Sequence, residues 1–159
     1  MGDLDALWEL YCDPEVTKYI PDAPKTREES REELEWHMHG PPRHPALGLW
    51  ATILKEHGEF IGRCGLLPWS IDKQEEVEVA YTIARTYWGR GLGSEAAGAV
   101  LRYGFEELGF SKLICLIEPE NRASQKVAEK IGMRLEKRVD GIAGDAIPTR
   151  IYSTIRPPK

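Results

Sequence analysis

A glycine-rich segment between a predicted strand and a predicted helix constrains this chain more than any other feature. Residues 88–96 run Trp-Gly-Arg-Gly-Leu-Gly-Ser-Glu-Ala. Before them, residues 76–83 alternate polar and apolar side chains, which is typical of a strand with unlike faces. After them, apolar residues recur at helical spacing from Ala97 to Leu108, and Gly109 is placed to end that helix. Because three glycines in five residues remove side chains from the turn, its backbone N–H groups can surround a phosphate or pyrophosphate at the positive end of the helix.

Several interpretations of this loop have to be compared. A P-loop needs a lysine directly after the glycines, and none is present, which excludes it. A dinucleotide loop fits Gly91-x-Gly93-x-x-Ala96, with Glu118 as a ribose-binding acid, but residues 85–88 separate the glycines from their strand. The chain also lacks room for five or six parallel strands. An acyl-CoA pyrophosphate loop of the form Q/R-x-x-G-x-G/A, with Trp88 at its first position, and a glycine turn without a ligand stay open.

Composition limits the classes of function. The length of 159 residues predicts one domain, 1–159. A formal net charge of −5 argues against nucleic acid as a partner and is compatible with a cationic substrate. Three cysteines, odd in number and without metal-ligand spacing, favour a reduced, cytoplasmic protein. No apolar run approaches the length of a membrane span, so no membrane partner is expected.

The remaining patterns predict an α+β fold. Helices are predicted at 3–11, after an N-cap at Asp13, from a capping box at Thr26 to about His39, over 97–108, and from an N-cap at Asn121 to Gly132. Strands are predicted at 49–55, 60–67, 76–83, 112–118, 134–139 and 149–155, with 68–74 as a connection. An antiparallel meander that feeds one βα crossover is not a doubly wound dinucleotide fold.

Two histidines, His37 and His39, lie close together near the end of the third predicted helix. Residues two apart point in different directions on a helix, so we predict no metal site there. The rim of a substrate pocket and a plain solvated face are both compatible with them.

Taken together, the motifs resemble those of the GNAT acyltransferase superfamily, and within it the branch of the RimJ and RimL ribosomal-protein N-acetyltransferases. The resemblance runs from about residue 3 to 155 and rests on the segments 13–16, 49–51, 61–66, 78–81, 87–96, 121–124 and 127–133. It implies a three-layer α/β fold with a mostly antiparallel mixed sheet, a central splay and helices on both faces. Members usually begin with a strand before the first helix, and we expect that first strand to be missing here.

The resemblance also implies a set of residues that bind acetyl-CoA as a co-substrate, without a metal. The pyrophosphate would lie on the loop formed by Trp88, Gly89, Arg90, Gly91, Leu92, Gly93 and Ser94. Backbone groups around Tyr81 and Ile83 would face the pantetheine and the acetyl carbonyl. Asn121 and Ser124 would approach the pantetheine arm and the sulfur, although the residues alone suggest only helix capping.

Acetyl transfer to an amine requires a base, because an ammonium group with a pKa of about 10 is not nucleophilic. We expect Glu78 to be the base, with Glu118 or water as alternatives; a surface role for Glu78, paired with Arg63 across the hairpin, is equally compatible with the sequence. Many GNAT enzymes use a tyrosine acid at the position that is Ala128 here, which leaves Ser124 or water as the proton donor. Cys64 and Cys115 lie in apolar strands, which favours direct attack in a ternary complex over an acyl-enzyme.

The predicted function is therefore an acetyl-CoA-dependent N-acetyltransferase acting on a primary amine. The acceptor could be a protein N-terminus, a polyamine or another small amine. The alternatives are an acyl-CoA-binding sensor or scaffold with weak catalysis and, third, an NAD-binding oxidoreductase. Without a leading strand, the strand at 49–55 should lie at a sheet edge, and we expect a second subunit in a homodimer to cover it.

Overall fold

The computed structural model describes residues 3–41, 44–142 and 144–158. Its helices are α1 (Leu4–Cys12), α2 (Pro14–Thr17), α3 (Arg27–His39), α4 (Leu92–Glu106) and α5 (Arg122–Lys130). Its strands are β1 (Gly48–Leu54), β2 (Glu59–Ile71), β3 (Gln74–Ile83), β4 (Lys112–Ile117), β5 (Arg134–Val139) and β6 (Thr149–Ile155). A short 3₁₀ helix, Arg85–Tyr87, leads from β3 into the glycine loop.

The six strands form one mixed sheet in the order β1-β2-β3-β4-β6-β5. Every neighbouring pair is antiparallel except β3 and β4, which are parallel and pair only at Glu78 and Ile114. One residue further along, the Cys115 thiol donates a hydrogen bond to the Val79 carbonyl at 3.2 Å. The predicted sheet with its central splay is confirmed.

Helices cover both faces of the sheet, as predicted. On one face, α4 packs on the odd-numbered residues of β3, and α5 packs on β4 and α4; the buried core there includes Val79, Ala97, Leu101, Leu113 and Ala128. On the other face, α1 and α3 pack over β1 and β2 around Leu7, Leu10 and Tyr11. Burial of these apolar side chains is the main term that stabilises the three layers.

Local capping signals predicted three of the helix starts correctly. The Asp13 side chain accepts from the Glu15 N–H at 3.0 Å, and Thr26 Oγ1 accepts from the Glu29 N–H at 3.1 Å. Asn121 Oδ1 accepts from the Ser124 N–H at 3.1 Å. Each bond satisfies a backbone donor that the first turn of a helix leaves free.

The connection predicted at 68–74 is wrong. Strand β2 continues to Ile71, and Asp72 and Lys73 alone form the turn into β3, with positive φ angles of 52° and 65°. A proline suggested a break, but the pairing of β2 with β1 ends at Leu66, so Pro68 lies where β2 has become an edge strand. Proline is tolerated there because no partner needs its missing N–H.

Strand β1 forms one edge of the sheet, as the sequence predicted. Within residues 3–41 the structure contains helices α1 to α3 and no strand. Trp50 and Ile53 on β1 are 39% and 44% exposed, which makes this edge apolar as well as open.

Candidate active site

The glycine loop forms an open N-terminus for α4. Gly91 is the N-cap, with a left-handed φ of 78°, and its carbonyl accepts from the Glu95 N–H at 3.0 Å to begin the helix. No side chain among the described residues caps this first turn. The free N–H groups and the helix dipole therefore remain available to an anion.

Two side chains flank the loop in defined positions. The half-exposed Trp88 donates its indole N–H to the Ile83 carbonyl at 2.7 Å, which attaches the loop to the end of β3. The Arg90 guanidinium lies 5.4 Å from the centre of the Tyr87 ring. The Ile83 carbonyl, expected to face the pantetheine, is thus already bonded to Trp88.

Lys130, at the end of α5, is a basic residue of this region that the sequence analysis missed. A Cβ atom added at Gly91 would lie 3.7 Å from Lys130 Nζ, so the ammonium group is close to the helix N-cap. The nearest sequence signal is only a lysine in the last turn of a predicted helix. Its position depends on how α5 packs on α4, which sequence spacing does not reveal.

A hydrogen bond joins β3 to α5 beside the splay. The Tyr81 hydroxyl donates to the Ser124 carbonyl at 2.9 Å, and Asn121 caps the same helix turn. Tyr81, Asn121 and Ser124 therefore lie together. Ala128, the position at which the resemblance implied a tyrosine acid in many GNAT enzymes, is completely buried in the core.

Glu78 lies at the single point where β3 and β4 pair, so it stands where the splay begins. The Trp69 indole N–H donates to Glu78 Oε2 at 2.7 Å. Burial raises the pKa of Glu78 to about 7, although hydrogen bonds from Trp69 and from the Leu116 backbone act to lower it. A carboxyl group with this pKa can both accept and release a proton near neutral pH.

The predicted alternative pairing of Glu78 with Arg63 is wrong. Arg63 instead forms an ion pair with Glu33 on α3 at 2.8 Å and lies over the Tyr11 ring. The partner of Glu78 is Trp69, which the sequence analysis did not single out. The sequence analysis missed this partner because it assigned Trp69 to a connection and not to a strand.

Glu78 and Ser124 belong to opposite faces of the sheet. Val77 and Val79 point toward α4, so the intervening Glu78 points toward the other face, where Trp69 and Ile114 belong to a second buried cluster. Ser124 lies at the start of α5, on the α4 side. The gap between β3 and β4 beyond Glu78 separates the two groups.

Glu118, the second candidate base, follows the end of β4 and is partly exposed. Partial burial, followed by repulsion from Glu120 and Asp145, raises its carboxyl pKa. Glu78 is the stronger candidate, because it combines its raised pKa with a fixed hydrogen-bond partner at the splay.

The histidines serve local structure. The His37 side chain is 7% exposed, and its Nδ1 accepts from the Leu49 N–H at 3.2 Å, which occupies the lone pair a base would need. His39 Nδ1 lies 2.8 Å from the Glu35 carbonyl of the same helix. Within the residues described, no group of three or more His, Cys, Asp or Glu side chains is placed to hold a metal ion.

The Glu33 carboxylate connects α1, α3 and β2. It accepts from the Tyr11 hydroxyl at 2.7 Å and pairs with Arg63. Burial raises the pKa of Glu33, but hydrogen bonds from His37, Arg63 and Tyr11 and the charge of Arg63 outweigh it and lower that pKa to about 2. Glu33 is thus ionised at neutral pH and is not a proton acceptor.

Two of the three cysteines, Cys64 and Cys115, are buried and reduced, and Cys12 is exposed. Burial raises the pKa of the Cys64 thiol to about 12 and that of Cys115 well above its ordinary value. Both thiols therefore stay protonated at neutral pH, which makes them poor nucleophiles.

Comparison with known proteins identifies the family. The family described as "Acetyltransferase (GNAT) domain" matches residues 1–134, and this chain belongs to it. YkkB, an uncharacterized protein of Bacillus subtilis, is 41% identical over 130 residues, which cover 82% of this chain and 74% of YkkB. The crystal structure of a GNAT-family acetyltransferase from Bacillus anthracis has a TM-score of 0.81 at 27% identity, covering 97% of this chain and 89% of that one.

A RimL ribosomal α-N-protein acetyltransferase in complex with coenzyme A has a TM-score of 0.76 at 16% identity, covering 97% of this chain and 89% of that one. At this identity the similarity shows the fold alone. The predicted GNAT relationship is confirmed, the chain is an acetyltransferase, and family membership excludes the oxidoreductase alternative. No helix in the described part of the chain has both the length and the apolar character to cross a membrane.

Proposed function

We propose that this protein transfers an acetyl group from acetyl-CoA to a primary amine by direct attack in a ternary complex, in the cytoplasm. The observation that carries the proposal is the position of Glu78. A partly buried carboxyl group with a pKa of about 7 lies where the two central strands separate, on the face opposite to the glycine loop helix.

The residues present fit acetyl-CoA as the donor. The uncapped N-terminus of α4 and the adjacent ammonium of Lys130 suit a pyrophosphate. Beyond Glu78, the side of β3 that faces β4 has no partner strand, which leaves backbone groups near Tyr81 for the pantetheine arm and the acetyl carbonyl. In this proposal the loop from Gly89 to Ser94 holds the phosphates, and Asn121 and Ser124 lie along the arm.

In this proposal Glu78 and Ser124 handle different protons from opposite faces of the sheet. Glu78 takes a proton from the amine nitrogen as the new C–N bond forms, and Trp69 holds the carboxylate in place. As the C–S bond breaks, the electron pair goes to sulfur, and Ser124 or a water beside it supplies a proton to give the thiol. The products are an amide and CoA. The buried thiols of Cys64 and Cys115 stay protonated and are poor nucleophiles, which favours direct attack over an acyl-enzyme.

The acceptor is an amine. The net charge of −5 is compatible with a cationic acceptor but does not identify which amine it is. A protein N-terminus, a polyamine and a small amine metabolite are the candidates. We also include a homodimer through β1 in the proposal, because that strand is an open and apolar edge.

The test is acetyl-CoA turnover measured as thiol release with a panel of amines, comprising an N-terminal peptide, the same peptide with a blocked N-terminus, spermidine and an aminoglycoside. We expect amine-dependent thiol release and acetylated product by mass spectrometry for at least one unblocked amine. Tight binding of acetyl-CoA with no turnover across the panel would contradict the proposal and favour a sensor or scaffold role.

A further inference from the structure

The P-loop interpretation failed because no lysine follows the glycines, yet the fold brings one to the same place from another element. Lys130 Nζ lies 3.7 Å from the position that a Cβ would take at Gly91. The two residues are 39 positions apart, so the contact is tertiary. It joins the last turn of α5 to the first turn of α4.

The packing of α5 on α4 fixes this approach. A Cβ added at Gly98, on the second turn of α4, would lie 3.7 Å from Ile131 Cγ2, so the residue after Lys130 sits directly against α4. The small Gly98 allows the two helices to come close at this point. The packing of Ile131 therefore keeps the backbone of Lys130 close to the loop. The approach of the ammonium group does not depend on the long lysine side chain alone.

Lys130 also has no competing acidic partner. Among the residues that the structure describes, no carboxylate lies within ion-pair distance of its ammonium group. The ammonium group of Lys130 lies beside an uncapped helix N-terminus, in a chain whose net charge is −5. An anion placed there would receive backbone N–H bonds and one full positive charge.

We propose that Lys130 is a phosphate-binding residue of this site, whose ammonium group contacts the pyrophosphate of CoA on the side of Gly91. The inference rests on the proposed function, since it assigns a further residue to the same donor site. In a P-loop, the lysine that contacts the phosphates belongs to the loop itself. Here Lys130 would provide the same positive charge from α5.

The experiment compares the parent protein with Lys130→Met in calorimetric titrations with four probes: CoA, dephospho-CoA, 4′-phosphopantetheine and pantetheine. Loss of one charge-assisted contact should weaken binding of CoA and dephospho-CoA by about tenfold each. Pantetheine, which has no phosphate, should bind both proteins equally. The salt dependence of CoA binding should be shallower for the variant than for the parent.

Two controls make the result specific. Lys126→Met removes the same charge one helical turn earlier on α5 and should change CoA affinity less than twofold, whereas Lys130→Arg should retain most of the affinity. Equal affinity of Lys130→Met and the parent, or an equal loss for Lys126→Met, would overturn the inference. A loss with CoA that vanishes with dephospho-CoA would also overturn it, because it would assign Lys130 to the 3′-phosphate. If the parent bound none of the probes, the proposed function itself would fail.

Discussion

At the scale of single residues, Glu78 combines a polar anchor with an environment that disfavours its charge. The Trp69 indole fixes one carboxylate oxygen, while burial raises the carboxyl pKa to about 7. In a purely structural carboxylate, hydrogen bonds of this kind usually lower the pKa. This conflict is typical of a group that has to exchange a proton.

The first prediction concerns activity. Glu78→Gln removes the base that we propose and should lower kcat/KM by at least about tenfold at pH 7.5, since a positioned base contributes roughly 10² to 10⁴ in rate. The parent rate should rise with pH through about 7, and the deficit of the variant should shrink at high pH as free amine accumulates. Initial rates from pH 6 to 10 measure both effects.

Two substitutions serve as controls for that profile. Ser124→Ala should cost no more than about tenfold, because water can protonate the leaving thiolate. His37→Ala should lower stability, since it removes the acceptor for the Leu49 N–H, and should leave the shape of the pH profile unchanged. Full activity of Glu78→Gln at every pH, together with inactivity of folded His37→Ala, would place the base on α3.

A second prediction links the same carboxyl group to stability. Its pKa rises from an ordinary 4.5 to about 7 in the folded chain, so the native state binds the proton more tightly than the unfolded state. The stabilisation of the folded state by this proton is fully present below about pH 4.5 and is lost as the pH rises through 7. Glu78→Gln cannot ionise, so its stability relative to the parent should increase by up to about 3 kcal/mol between pH 4.5 and 8. Urea unfolding of both proteins across this range provides the measurement, and a constant difference would argue against the raised pKa.

At the scale of elements, the role of the α4 N-terminus as an anion site can be tested at Gly91 and Gly109, which flank this helix. Saturating acetyl-CoA at ~100 times its Kd should stabilise the parent by about 2.7 kcal/mol, or a Tm increase of about 5–10 °C. Gly91→Val should abolish this increase, because its Cβ would occupy the space beside Lys130 that the anion needs.

Gly109→Val is the matched control. Gly109 has a φ of 74°, close to the 78° of Gly91, but it follows the opposite end of α4 and a Cβ there would meet nothing within 4 Å. Both variants carry similar backbone strain, yet only the Gly109 variant should keep the ligand-induced rise in Tm. Thermal shift with and without acetyl-CoA distinguishes the two, and an unchanged response of Gly91→Val would mean that the loop is not the binding site.

The exposed edge of β1 gives a prediction about assembly. Trp50 packs edge-on against Tyr103 of α4 at a ring distance of 5.7 Å, and Ile53, further along the same edge strand, is 44% exposed. We expect light scattering to show a dimer of the 159-residue chain. Ile53→Lys should shift it toward the monomer, because lysine on an edge strand opposes strand pairing. A monomer at all concentrations would rule out this interface.

At the scale of the whole molecule, the sequence predicted what local patterns determine. Alternation identified β3, helical spacing identified α4, and the side chains of Asp13, Thr26 and Asn121 marked helix starts that the structure contains. The order of motifs was sufficient for the family and for a mostly antiparallel mixed sheet with helices on both faces. These features depend on residues within one or two turns of each other, so they are visible in a linear sequence.

The contacts that complete the site are not visible in this way. The Trp69–Glu78 bond depends on a strand longer than its proline suggested, and the Tyr81–Ser124 and Gly91–Lys130 approaches join residues far apart in the chain. Each follows from how α5 and β2 pack on the rest of the molecule. A sequence pattern lists such side chains as candidates but does not state which of them meet.

The single pair between β3 and β4 has a mechanical consequence. The sheet consists of two three-stranded halves, β1-β2-β3 and β4-β6-β5, that share one point of backbone contact at Glu78 and Ile114. A change in the angle between the halves would break no other ladder bond, and the buried core under α4 packs against both of them. An extended ligand bound between the separated strands β3 and β4 would hold the angle between the two halves fixed. A ligand bound in the cleft would therefore stiffen the sheet at Glu78, the residue that we propose as the base.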